Sequence, residues 1–205
     1  MRAAATADGA KRALDIGLAC LLLLPASVAV SLSMIAIRAT SPGPAIFRQR
    51  RVGRGEAPFV LLKLRTMCAD MDDRPSHDAS ASQITPVGRW LRRTKLDELP
   101  QIINVLKGEM SFVGPRPCLP SQEALIAARR ERGVFAVRPG ITGLAQSRGI
   151  DMSDPERLAM IDQEYVGMAS LGLDLRLLLV TFTGSGRGDA INGPDGSARS
   201  GRSRI

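Results

Sequence analysis

Asp97 and Glu98 are adjacent carboxylates set among cations, with Arg92, Arg93 and Lys95 just before them and Arg116 after. A carboxylate beside another suits a nucleophile next to a metal ligand, and nearby guanidinium groups would neutralise the phosphate on which the pair works. The competing reading is plainer: Asp97 caps a helix and Glu98 faces water. Thr94 stands three residues before Asp97, the spacing of a capping box, and Leu99, Ile102, Ile103 and Leu106 recur at helical intervals. These signals predict a helix starting near Asp97, with Pro100 harmless in its first turn and Gly108 as its stop. First-turn carboxylates face the positive end of the helix dipole, which favours their ionised form by roughly 0.3–1 kcal/mol each.

Other chemistries are poorly supplied. His77, in a polar stretch, is the only histidine, which makes a histidine-based triad hard to build and leaves no second ligand for a two-histidine metal site. Cys20, Cys68 and Cys118 are odd in number and widely separated, which predicts neither a zinc site nor a disulfide framework and suits a reducing compartment. The formal charge of +8 over 205 residues points to anionic partners: nucleic acid, acidic lipid headgroups or phosphorylated substrates. With one Trp, one Tyr and five Phe, the stacking surfaces of a single-strand binder are scarce, and no nucleic-acid partner is expected. The size suits one modest domain plus an appendage.

The elements that must position the acidic pair follow in chain order. Ile16 to Ile37 carries no charge and is long enough to cross a bilayer, which takes about 20 apolar residues. It is longer than the apolar core of a signal peptide. Pro25 lies inside it, with Ser27, Ser31 and Ser33 beyond, and a mid-helix proline kinks the axis. Arg2, Lys11 and Arg12 precede the run, while Arg38, Arg48, Arg50, Arg51 and Arg54 follow it. Basic flanks prefer the cytoplasmic side, so a re-entrant helix that returns to its own face is favoured over a spanning one. Asp15 is expected to cap that helix or to pair with an ion at headgroup depth.

Thr40-Ser41-Pro42-Gly43-Pro44 ends the helix, and the divisions expected are a membrane-inserted segment over 1–40, a catalytic domain over 41–183 and a disordered basic tail over 184–205. Phe47–Phe59 reads either as a headgroup- or phosphate-facing turn or as a solvated basic hairpin. Val60 to Leu64 predicts a short strand on which Lys63, with Arg65 two residues on, would present two cations to one face. Asp70 to Ser82 predicts a polar loop. Pro115 and Pro117 restrict Arg116 and would preorganise its guanidinium for bidentate phosphate contact. Gln122 to Arg132 predicts a polar helix on the surface or the membrane. Arg138-Pro139-Gly140-Ile141-Thr142-Gly143 predicts a turn whose amides could approach a phosphate. Helices are predicted over Pro155–Leu171 and Leu173–Phe182.

Taken together, Lys-Arg-x-x-Asp, Ser-Pro-Gly-Pro, Lys-x-Arg-Thr-Met, Leu-Asp-Glu-Leu-Pro-Gln, Asn-Val-Leu-Lys-Gly-Glu-Met-Ser, Gly-Pro-Arg-Pro and Arg-Pro-Gly-Ile-Thr-Gly-Leu-Ala-Gln resemble, in order from Lys11 to Phe182, the bacterial sugar transferases, or monotopic phosphoglycosyl transferases. Each motif alone is weak; the ordered set is specific. The resemblance implies an α/β, mostly helical membrane enzyme with a re-entrant N-terminal helix and amphipathic interfacial helices. It would sit on the cytoplasmic face of the bacterial inner membrane, against lipid headgroups. It would transfer a sugar 1-phosphate from a UDP-sugar to polyprenol (undecaprenyl) phosphate and release UMP, the first membrane step of exopolysaccharide, lipopolysaccharide or glycoprotein glycan synthesis. By the same resemblance Asp97 would be the nucleophile and form a covalent phosphosugar intermediate, Glu98 would hold Mg2+, and Lys63, Arg65, Arg92, Arg116 and Arg138 would contact phosphates.

Three departures accompany the match. The Ser-Pro pair associated with the family's bend is missing, since Pro25 precedes Ser27. Ser147-Arg148-Gly149-Ile150 replaces the common Val-Asn-Gly-Arg, a change placed to affect sugar or nucleotide recognition. No additional membrane domain is visible, so a minimal catalytic unit is expected. The rival readings are a non-catalytic basic membrane anchor and an aspartyl-phosphate lipid phosphatase. The sugar, the pathway and the oligomeric state stay open.

Overall fold

The computed structural model describes residues 2–68 and 83–183, without the side chains of residues 2–7 and Phe182. The loop expected over Asp70–Ser82, with His77 in it, and the tail over 184–205 lie outside the described residues.

Helix α1 (Arg2–Thr40) continues through Pro25 and is the one helix among the described residues long and apolar enough to cross a membrane. Asp15, Ala19, Ala26, Ser33 and Ile37 are buried along it, while Leu21, Leu24, Val28, Leu32 and Ile35 are exposed. Spacings of four and seven residues place the buried set on one face, so α1 lies against the protein and leaves an apolar face unpaired. The Ser27 and Ser33 hydroxyls donate to the Leu24 and Ala29 carbonyls, satisfying their own polarity within the helix.

The start of α1 is fastened by its charges. Arg12 donates from Nη1 and Nη2 to the carbonyls of Val105 and Leu106 at 2.6 and 3.0 Å, and Lys11 Nζ lies 2.5 Å from Asp174 Oδ2. Asp15 neither caps the helix nor, among the described residues, pairs with a cation: it is 4% exposed and accepts from Ser111 Oγ at 3.0 Å and from Phe112 N at 3.1 Å. A buried carboxylate needs such donors, and the Ser111 hydroxyl and the Phe112 amide supply them. The far end of α1 packs Ile37 against Ala45, Leu64 and Leu91. Both ends therefore rest on the same body of protein.

Strands β1 (Ile46–Val52) and β2 (Pro58–Leu64) form an antiparallel hairpin closed by a 3-10 turn over Arg54–Glu56. Phe47 pairs with Lys63, Gln49 with Leu61 and Arg51 with Phe59, so these six side chains share one face. Helix α2 (Pro86–Thr94) opens with Thr85 Oγ1 accepting from Gly88 N at 2.9 Å and with Pro86 in its first turn. A Cβ at Gly88 would stand 2.0 Å from the Thr66 carbonyl oxygen, so only glycine lets α2 lie directly on the chain leaving β2.

The expected helix start at Asp97 is corrected. Thr94 ends α2, and its hydroxyl donates to the carbonyls of Trp90 and Leu91 instead of capping a new helix. Lys95 then takes a left-handed conformation at φ 58°, and Leu96–Glu98 forms a 3-10 turn. Helix α3 (Gln101–Lys107) begins only after Pro100 and stops at Gly108, as expected. The apolar period was right, but the reversal at Lys95 outweighed the capping pattern.

Beyond α3, β3 (Ser111–Val113) runs parallel to β4 (Gly140–Thr142). Between them lies α4 (Glu123–Glu131), and after them α5 (Leu144–Ser147), α6 (Pro155–Met168) and α7 (Leu171–Phe182). Helix α4 is not a purely surface helix: Leu125, Ala128 and Arg129 are buried, with Leu125 and Ala128 in one apolar cluster with Leu158 and Ala159 of α6. The largest core joins Ala19 of α1, Phe59 and Leu61 of β2, Ile102 and Val105 of α3, and Tyr165 and Leu177 of α6 and α7. The architecture is mostly helical with two small sheets.

Candidate active site

The site forms where β2, the 3-10 turn and the chain after β3 meet. Asn104, fully buried on α3, donates from Nδ2 to the Val60 carbonyl at 2.7 Å and accepts from Leu62 N at 3.1 Å. One amide thus fastens α3 to the outer edge of β2 on either side of Val60–Leu62, next to Lys63. That fixes the acidic pair relative to the lysine.

Lys63 Nζ donates to Glu98 Oε1 at 3.0 Å, and Arg116 donates from Nη1 and Nη2 to the same oxygen at 3.2 Å. The Lys63, Arg116 and Glu98 side chains are 12%, 20% and 17% exposed, largely shielded from water and therefore less screened than a surface pair. Asp97, one residue earlier in the turn, is buried. A cleft open to solvent lies beside them, lined by Arg51, Leu61, Lys63, Gln101, Arg116 and Pro117. Its polar lining is three cations and one amide, an arrangement that suits an anion.

The other expected contacts fall elsewhere. Arg92 donates from Nε to Thr66 Oγ1 at 2.9 Å, at the end of the helix leading into the turn, and its Nη1 is buried with no hydrogen-bond partner. Arg65 does not share Lys63's surroundings: it is buried, and its Nη1 and Nη2 donate to the carbonyls of Pro42 and Ser41. Those carbonyls follow the end of α1, so Arg65 ties the turn after α1 to the catalytic body. Arg138 donates to Asp8 Oδ1 at 2.8 Å and to the Gly108 carbonyl at 3.1 Å, next to the start of α1.

The glycine-rich turn after Arg138 also has a different task. Gly140 N donates to the Pro115 carbonyl at 2.9 Å and Gly114 N to the Thr142 carbonyl at 2.8 Å. A Cβ on Gly140 would lie 2.1 Å from Gly114 N. These amides join β3 to β4 at close approach, and the bond to Pro115 occupies the Gly140 amide.

Two buried arginines brace the turn that carries Arg116, and the sequence reading had not singled them out for this. Arg51 Nη1 donates to the Pro117 carbonyl at 3.0 Å while its Nε donates to Gln49 Oε1 at 3.0 Å. Arg129 donates from Nη1 to the Arg116 carbonyl at 2.8 Å and from Nε and Nη2 to Asp162 Oδ2 at 2.9 and 2.6 Å. Burial pushes the Asp162 carboxyl up from its ordinary pKa, and the charge of Arg129 opposes this. The available signals were Gln49-x-Arg51 at strand spacing and a cation at position 129 on the apolar stripe of α4.

Among the described residues no three His, Cys, Asp or Glu side chains cluster as a metal cage. Magnesium needs none, because it binds through one or two carboxylates together with phosphate oxygens and water. The hard oxygens of Glu98, beside Asp97 and the cationic cleft, fit an ion that arrives with a phosphate.

Residues 6–187 match the family described as bacterial sugar transferase. The chain is 42% identical to a UDP-glucose:undecaprenyl-phosphate glucose-1-phosphate transferase of Caulobacter vibrioides, over 85% of this chain and 68% of that one. It is 40% identical to an undecaprenyl-phosphate glucose phosphotransferase of Komagataeibacter xylinus, over 84% of this chain and 35% of the relative. A UDP-N-acetylgalactosamine-undecaprenyl-phosphate N-acetylgalactosaminephosphotransferase of Aeromonas hydrophila is 34% identical, over 84% of this chain and 42% of its own length. The chain thus spans well under half the length of the second and third of these relatives.

Proposed function

This chain belongs to the bacterial sugar transferase family, and we propose that it moves a sugar 1-phosphate from a UDP-sugar to undecaprenyl phosphate in two displacements at Asp97. The observation that carries this reading is the single carboxylate oxygen of Glu98 that gathers Lys63 and Arg116 beside the buried Asp97. The names of the relatives supply the donor and acceptor classes.

In the first displacement an Asp97 oxygen attacks the phosphorus that carries the sugar. The bond to the bridging oxygen breaks, and UMP leaves with both electrons. In the second, a phosphate oxygen of the lipid attacks the same phosphorus, the aspartyl bond breaks and the carboxylate returns. Lys63 and Arg116 offset the negative charge of the phosphate that an anionic nucleophile must approach. Glu98 would hold magnesium, which when bound neutralises further phosphate charge. Arg92 lies on the helix entering the turn, with an unpaired buried Nη1 available to an anion.

The membrane placement follows from the exposed apolar faces. Leu21, Leu24, Leu32 and Ile35 on α1 and Leu171, Leu175 and Leu179 on α7 would contact lipid. A spanning helix would carry one end about 30 Å away across the bilayer, whereas both ends of α1 are held by the same catalytic body. This supports a re-entrant α1 with the body on the cytoplasmic face of the inner membrane. Purified full-length protein with magnesium, undecaprenyl phosphate and a panel of UDP-sugars should release UMP in a lipid-dependent manner. Every donor remaining intact would refute the reading.

A further inference from the structure

Gln101, the first residue of α3, is 2% exposed, and its Nε2 is buried without a hydrogen-bond partner. An unpaired buried amide costs about 1–3 kcal/mol, and such exceptions need an explanation. Gln101 lines the cleft alongside Lys63 and Arg116, with Leu61 and Pro117 as apolar walls. An unpaired amide donor in a cleft wall that also carries cations is placed for a group with several acceptor oxygens, since an apolar ligand would leave that amide unsatisfied. The 3-10 turn over Leu96–Glu98 and Pro100 hold it three residues beyond Glu98, at the start of α3.

We infer that Gln101 is a phosphate-binding residue of this site: its Nε2 donates to a non-bridging oxygen of the phosphoryl group engaged by Lys63 and Arg116. This deepens the phosphoglycosyl transfer reading and rests on it. A neutral amide adds a fixed hydrogen bond without a further charge, so it can follow charge developing on that oxygen during transfer without tightening product retention as another cation would. The unpaired Nε2 in the ligand-free fold is then an element of preorganisation, destabilising until the anion arrives.

The test compares full-length wild type with Gln101→Met, which preserves volume and removes the donor, and with Gln101→Glu, which replaces it by an anion. Gln101→Met should lower kcat/KM for the UDP-sugar about ten- to a hundred-fold and weaken binding of inorganic pyrophosphate, while its Tm stays level or rises because an unsatisfied group is gone. Gln101→Glu should lose more of both. Unchanged turnover in Gln101→Met overturns the inference, as does a fall in Tm that accompanies the loss, which would mark the amide as structural. Pyrophosphate binding that depends on Gln101 in a protein that releases no UMP would instead uphold the phosphate site and refute the transferase reading.

Discussion

Arg129 Nη1 donates to the main-chain carbonyl of Arg116 over 2.8 Å, so a wholly buried arginine on α4 fixes the backbone of the arginine that reaches Glu98. The same guanidinium is paired with Asp162 on α6, both side chains 2% exposed. The turn carrying Arg116 is thereby tied to the packing of α4 against α6.

Removing one partner of that pair should be severe. Arg129→Met leaves Asp162 buried and alone, at a cost of about 3–5 kcal/mol, measured as a lower Tm in detergent. The double change Arg129→Met with Asp162→Leu should recover most of the stability but not the turnover. Arg116 would still lack its brace, and a misplacement of about 1 Å can cost a hundred-fold in rate.

The pH dependence of that loss has a definite sign. Burial raises Asp162 and the charge of Arg129 opposes the rise. A carboxyl raised in the fold keeps a proton that the unfolded chain has released, so stability falls as pH climbs from the ordinary carboxylate range through the raised value. Without Arg129 that window extends upward. The Tm gap between Arg129→Met and wild type should narrow toward about pH 5 and widen toward about pH 8; a pH-independent gap would contradict it.

At the acidic pair, Asp97→Asn should reduce UMP release at least about a thousand-fold, the scale of losing a nucleophile, and should abolish the labelled adduct formed from radioactive donor. Glu98→Gln should instead raise the magnesium needed for half-maximal rate by about ten-fold or more. An adduct that persists in Asp97→Asn would place the nucleophile elsewhere.

Asn104 is predicted to be structural and to act on the site from a distance. Asn104→Ala orphans the Val60 carbonyl and the Leu62 amide; the loss should be about 2–4 kcal/mol with turnover reduced through Lys63. Lower pyrophosphate affinity together with lower Tm is the expected pattern, in contrast to Gln101→Met.

The topology of α1 is testable with exposed positions near its two ends. Gly9→Cys and Ala39→Cys, each in a chain with Cys20 and Cys68 replaced by Ser, should both react with an impermeant maleimide only from the cytoplasmic side of membrane vesicles. Reaction of the two from opposite sides would establish a spanning helix.

Much of this protein was legible in one dimension. A long uncharged run, a proline and glycine break and an ordered set of short motifs pointed to a membrane helix and a phosphate-transferring carboxylate pair, because hydrophobic length and side-chain chemistry are local properties. Helical periodicity after Leu99 was equally local, and α3 follows it. The start of that helix was misread because Thr94 satisfies a capping pattern that the left-handed Lys95 pre-empts.

What only the tertiary structure decided is which of many arginines face the site. Arg65 and Arg116 are alike in sequence, each set in a short motif, yet one gives both its terminal nitrogens to the carbonyls after α1 and the other meets Glu98. Asp15, expected as a helix cap or an ion partner, instead accepts from Ser111 and Phe112 in the strand after α3, and Gln101 and Arg129 gain their roles from neighbours far along the chain. A guanidinium or amide reaches whichever partner the packing of helices and strands brings within hydrogen-bond distance, and those long-range contacts leave no mark in local spacing.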